Sequence, residues 1–194
     1  RFDVGCLEGK HAGFLLVGFV GAYTGPAGED RITSVSSVLF YLAIYGVSSI
    51  GAFAVVTLVR DGSGETTHLS RWAGLGKASP WLAGTFALFM LSFAGIPLTG
   101  GFIGKWGVFS AALSAGFWPL VVIGVLVSAV AAYFYVRVIV LMFFTDPVGD
   151  GPSVATSGRL TTVVIAVAAA LTIVLGVVPG PMIDLAQHAG AFVR

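Results

Sequence analysis

Lys105 stands in an apolar run that extends from Trp81 to Leu113, just behind Gly95, Pro97, Gly100 and Gly101. An ammonium group at membrane depth costs about 2.5 to 3.5 kcal/mol on insertion scales, and residues that tolerate that cost usually belong to ion or proton relays. A lysine suits such work because it can carry a proton and release it. The alternative is a long side chain that reaches the nearer headgroups and anchors its helix. His11, which opens the first apolar run, is the second candidate for proton handling. A histidine at a helix mouth serves either as an interfacial or capping residue or as a relay.

The run that carries Lys105 must be broken or strongly tilted. As one helix it would be roughly 50 Å long at about 1.5 Å per residue, whereas a straight span needs about 20 residues. Two spans and a turn would need more residues than it holds. The segment Leu91-Ser92-Phe93-Ala94-Gly95-Ile96-Pro97-Leu98-Thr99-Gly100-Gly101 supplies the reason for a break. Pro97 removes a backbone donor and disfavours helix at Ile96, while Gly95, Gly100 and Gly101 lack side chains that resist unwinding. Backbone groups freed by a break between Ile96 and Gly101 must be satisfied by protein or by a hydrated cavity. Unwound helices of this kind line pathways in transporters.

Composition sets the class. The 194 residues are 57% hydrophobic and 10% charged, with a mean hydropathy of +0.97, which points to an integral membrane protein and not a soluble domain. Ten Lys+Arg against nine Asp+Glu give a net charge of +1, so nothing favours nucleic acid as a partner. The lone cysteine, Cys6, cannot close an internal disulfide. The sequence has no dinucleotide-binding glycine motif, no phosphate loop and no Cys/His cluster. No cofactor or metal is expected to sit on this chain.

An all-α arrangement of about five membrane helices is predicted in a single membrane domain, 1–194. The helices are expected at about 12–23, 35–59, 81–113 (broken), 120–144 and 160–178, with a mildly amphipathic surface tail over 182–194. The first, about a dozen residues, is short for a span. In the second, Tyr41, Tyr45, Ser48 and Ala52 share one side and form a face expected to pack against protein. The polar linker 60–79 contains His68, expected to be solvated, and Trp72, expected at headgroup level. Arg137 lies near the end of the fourth helix, where it either snorkels or takes part in function. With alternating spans, Arg1, Lys10, Arg60, Arg71, Lys77 and Arg159 fall on one side and Arg31 and Arg194 on the other. The positive-inside rule then places the 60–79 linker in the cytoplasm and the C-terminus outside.

The stretch Leu91 to Pro97, followed by Gly101-Phe102-Ile103-Gly104-Lys105, closely resembles the broken twelfth helix of the subunit N family of bacterial NADH-quinone oxidoreductase, respiratory complex I. The likeness covers about residues 11 to 194. It extends to Tyr41-Leu42-Ala43, Ser48-Ser49 and Gly51-Ala52-Phe53 before the break, and to Tyr133-Phe134-Tyr135-Val136-Arg137-Val138 and Leu175-Gly176-Val177-Val178-Pro179 after it. The resemblance implies part of a fourteen-helix, antiporter-like, proton-translocating subunit. Lys105 would be the lysine leading to the exit side, with Gly95, Pro97, Gly100 and Gly101 as the helix break. His11, within His11-Ala12-Gly13-Phe14, is similar to a tenth-helix Ser-x-x-His-x-Gly motif and would assist the relay.

The family's entry-side glutamate and lysines have no counterparts here, since the helices that bear them are absent. Residues 1 to 10 do not look like the apolar start of the tenth helix, which leads to the expectation of a truncated or altered N-terminus. The resemblance also implies other complex I membrane subunits and the lipid bilayer as partners. NADH, FMN, iron-sulfur clusters and quinone are expected on partner subunits, and the bacterial inner membrane as the location. Two other readings stay open: a subunit of an Mrp-type cation/proton antiporter, and a non-functional truncated membrane fragment.

Overall fold

The structure, a computed structural model, describes residues 13–19, 34–61, 64–65, 69–147 and 151–191. Helix α1 covers 13–19, followed by α2 (Ser34–Val56), α3 (Leu75–Ala78), α4 (Pro80–Ala94) and α5 (Gly100–Ser114). Then come α6 (Trp118–Phe144), α7 (Arg159–Val177) and α8 (Gly180–Ala191). Among the described residues, three helices are long and apolar enough to cross a membrane: Val35–Val56, Trp118–Phe144 and Arg159–Val177. The protein is an all-α integral membrane protein whose Lys105-bearing run is split between α4 and α5.

Helix α2 is the central element, packed against α4, α5, α7 and α8. Its serines and glycines permit that many neighbours, because small residues let helix backbones come close in the absence of a hydrophobic drive between helices in lipid. Helix α6 lies against α4 and α5 and turns Val122, Leu126, Val130 and Tyr133 outward. One core cluster joins Val55 of α2, Phe89 of α4, Val138 and Met142 of α6 and Ile165 of α7.

Helix α2 ends at Val56, ahead of the expected Val59, because Val59–Asp61 forms a strand, β1. Strand β1 pairs antiparallel with β2 (Gly64–Glu65) and with β3 (Ser153–Val154). The connections 57–79 and 145–158 therefore meet at one end of the bundle, and Lys77 Nζ reaches Asp146 Oδ1 there at 2.7 Å. The strands were not read from the sequence, since each is only two or three residues long. Trp72, expected at headgroup level, is buried, with its ring 4.8 Å from that of Phe86. The segment expected as a surface tail includes α8, whose Ala186 is buried with Met182 and Ile183 against Phe40 and Ile44 of α2, while Leu185 is exposed. His11, His68 and Cys6 lie outside the described residues.

Candidate proton-handling site at a broken helix

Helix α4 stops because Gly95 adopts the left-handed conformation, at φ 79°. Its N–H donates to the carbonyl of Ser92 at 3.0 Å, and the Ile96 N–H donates to that of Leu91 at 3.1 Å. This is the paired closure that glycine makes possible at a helix C-terminus, and a proline commonly follows it. Pro97 then fixes the fate of one further carbonyl. In a continuous helix the Phe93 oxygen would accept from residue 97, which has no N–H to give. Leu98, which would have served Ala94, sits at φ 72° and is turned out of the helical path.

Lys105 fills that gap. Its Nζ donates to the carbonyls of Phe93 and Ala94, each at 2.9 Å, and to Ser128 Oγ of α6 at 2.8 Å. The ring of Phe14 in α1 lies 5.5 Å from the nitrogen, within range of a cation–π contact. The residue is 7% exposed, so protein groups make up most of its surroundings. The C-terminal end of α4, with its partial negative charge, suits a cation. Gly95 is needed here twice, since a Cβ there would also approach Lys105 Cδ to 2.8 Å.

The glycines after the break do a different job from the one anticipated. The interruption runs from Gly95 to Thr99, and Gly100 and Gly101 are already helical as the opening of α5. They permit close approach: a Cβ at Gly101 would overlap the Ser92 carbonyl. The Gly101 N–H, one of the orphan donors at a helix start, donates to Ser92 Oγ at 3.3 Å.

Ser92 belongs to a buried chain of hydroxyl groups. Ser48 Oγ of α2 lies 3.3 Å from Ser92 Oγ and 3.2 Å from Thr172 Oγ1 of α7. Thr172 donates to the Ala168 carbonyl at 2.8 Å. Since Thr172 has spent its single proton on Ala168, Ser48 must donate to Thr172, and Ser92 to Ser48. The chain thus runs in one sense, from the Gly101 N–H through Ser92, Ser48 and Thr172 to the Ala168 carbonyl. A small cavity with room for about one water molecule joins it to the lysine, lined by Tyr41, Tyr45, Ser48, Ser92, Phe93 and Lys105 among others.

Of the candidates read from sequence, Lys105, Gly95, Pro97, Gly100 and Gly101 come together around the break. The face Tyr41, Tyr45, Ser48, Ala52, expected only to pack, also lines this cavity through Tyr41, Tyr45 and Ser48. Arg137 is exposed on α6 and takes no part. Ser128, Ser92 and Thr172 were missed as site residues. The available signal was a hydroxyl-bearing side chain within an otherwise apolar run. Among the described residues, no group of three or more His, Cys, Asp or Glu could hold a metal ion.

A family model described as NADH:quinone oxidoreductase/Mrp antiporter, transmembrane, matches residues 10–132. The chain is 59% identical to NADH-quinone oxidoreductase subunit N 3 of Streptomyces griseus over 184 residues, covering 95% of this chain and 32% of that protein. It is 55% identical to subunit N of Rhodococcus opacus, over 95% of this chain and 33% of the relative. It therefore spans about a third of the length of the curated relatives it matches. A chain in the solved structure of respiratory complex I from Thermus thermophilus with bound aureothin superposes over 90% of this chain and 43% of its own, with a TM-score of 0.69. At 22% identity that likeness establishes the fold. With the family match extending over more than half of its length, and the broken helix with Lys105 inside the matched region, the chain belongs to the NADH:quinone oxidoreductase/Mrp antiporter transmembrane family.

Proposed function

We propose that this chain forms the exit-side part of a proton-translocating membrane subunit of bacterial NADH-quinone oxidoreductase, with Lys105 as the group that carries the proton. The observation that supports this most directly is the setting of Lys105: an ammonium 7% exposed, in a membrane helix, bound to carbonyls that a Pro/Gly break has freed. A lysine used only as an anchor would extend to the headgroups. Here the side chain folds back into protein. His11 is the candidate that would pass protons to it, and entry-side groups would lie in the part of the subunit that this chain does not span. NADH, FMN, iron-sulfur clusters and quinone would act on partner subunits, coupled through the membrane arm.

The family model also includes Mrp antiporter subunits, which makes cation/proton exchange the second reading. Relatives named subunit N at 50 to 59% identity favour the first. In this proposal the 60–79 linker faces the cytoplasm and the C-terminus the opposite side, as the excess of basic residues on that linker requires. A cysteine at Ser70 is expected to react with impermeant reagents from the cytoplasmic side only, and labelling from the outside would reverse the orientation.

The decisive experiment is Lys105→Ala and Lys105→Arg in the full-length subunit within its complex, measured as the pH gradient formed during NADH oxidation. Alanine removes the carrier, and arginine keeps a charge that is not readily released. Both are expected to impair translocation and coupled quinone reduction, without full rescue by arginine. A normal gradient with Lys105→Ala would reduce this lysine to an anchor.

A further inference from the structure

The acceptors around Lys105 Nζ are not equivalent. The Phe93 and Ala94 oxygens can only accept hydrogen bonds, whereas Ser128 Oγ can accept or donate. An ammonium offers three donors and no acceptor, so Ser128 receives a hydrogen bond from it at 2.8 Å. A neutral amine offers two donors and one lone pair. If both carbonyls keep an N–H, the lone pair can face Ser128, which has a proton of its own to give.

We propose that Ser128 is the positioning residue that holds Lys105 in both of its protonation states, by reversing its hydroxyl from acceptor to donor when the lysine gives up its proton. This rests on the reading of Lys105 as a proton carrier.

Ser128 is unusually free to reverse. Thr85, Ser110 and Thr172 each give their hydroxyl proton to a carbonyl of their own helix, three or four residues back. Ser128 does not. Its bond to Lys105 is the one it makes among the described residues, so rotating the hydroxyl orphans no backbone group. No heavy atom needs to move, and the contact between Ser128 and the nitrogen persists in both states. Loss of Ser128 removes from each state one hydrogen bond at a buried nitrogen, accepted from the ammonium or donated to the amine.

Among the described residues, the titratable groups that line the same cavity as the lysine are the phenols of Tyr41 and Tyr45 on α2. Tyr135 on α6 stands one ring further away, against Phe93 at 5.8 Å. Helix α4 presents backbone carbonyls to the lysine and α1 the Phe14 ring.

The test uses Ser128→Ala, Ser128→Thr and Ser128→Cys in the full-length subunit, assembled in its complex, with NADH-driven translocation followed from pH 5.5 to 9. Ser128→Ala is expected to slow translocation several-fold and to move the pH of half-maximal rate by about one unit, the scale of one hydrogen bond made unequally to the two states. Ser128→Thr, which restores the hydroxyl, is expected to return rate and profile to those of the wild type. Ser128→Cys, a weaker donor and acceptor of similar size, is expected to fall between them, and it serves if the alanine variant fails to assemble. A wild-type rate and pH profile in assembled Ser128→Ala, while Lys105→Ala is inactive, would overturn the role of Ser128 alone. Wild-type translocation by Lys105→Ala would overturn it together with the proposed function.

Discussion

Two polar assemblies meet at one small cavity, and they are built on different logic. The hydroxyl chain Ser92, Ser48, Thr172 begins at a backbone donor and ends at a backbone acceptor. Every hydroxyl in it takes one hydrogen bond and gives one, so its sense cannot be reversed without orphaning the Gly101 N–H or the Ala168 carbonyl. Such a chain ties α2, α4, α5 and α7 together and conducts poorly. The Lys105 assembly is tied to backbone on one side only, at the carbonyls of Phe93 and Ala94, and on the other meets a hydroxyl that can turn. If Lys105 carries the proton as proposed, burial and hydrogen bonding alone do not mark such a group. What matters is whether its partners can be satisfied before and after a proton leaves.

The comparison can be broken most severely at the lysine. Lys105→Ala is expected to abolish translocation by the subunit while leaving the hydroxyl chain in place, so the assembled complex should survive and its pH gradient should not.

A smaller and opposite effect is expected from Ser48→Ala. It removes the centre of the chain and two buried hydrogen bonds, worth about 0.6 kcal/mol each between membrane helices. The subunit should unfold more readily on heating in detergent by about 1 kcal/mol, with translocation per assembled complex within about twofold of wild type and its pH profile unmoved. Loss of translocation in a fully assembled Ser48→Ala complex would show that protons travel through the chain, and the distinction between the two assemblies would fall.

The smallest effect belongs to a charge pair outside both assemblies. Asp146 is fully exposed, and its carboxyl is held below the usual range first by the hydrogen bond from Lys77 and then by the charge of Lys77. A carboxyl lowered in the folded state contributes above its ordinary value and loses that contribution as the pH falls through its folded value. Between pH 5 and 8 the pair therefore stays formed, and being exposed it is worth little. Asp146→Asn should leave the melting temperature unchanged over that range, and a clear drop would assign the paired connections a larger share of the stability.

The break and the lysine were legible because their signals are local. Pro97 and Gly95 act on their own backbone, and a charge in an apolar run stands out wherever it occurs. The same holds for the spans over 118–144 and 159–177, since length and hydropathy suffice to find them. Partnerships were not legible. Ser48 and Thr172 are separated by 124 positions, and periodicity tells which residues share a helix face without telling which helix that face meets. Ser128 was hidden for a similar reason: a serine in an apolar helix reads as a small packing residue until the lysine 23 positions earlier is seen to reach it. The hydroxyl chain also depends on α7 coming to lie against α2, which no property of either segment alone requires.

Pro97 has a consequence for how this site can change over generations. The imide of Pro97 has no N–H, so the Phe93 carbonyl cannot take the helical hydrogen bond from that position, and Lys105 donates to it instead. Repacking elsewhere in the bundle does not restore that helical hydrogen bond. A substitution that removes Lys105 while keeping Pro97 therefore takes from the Phe93 carbonyl a donor that the local backbone cannot replace.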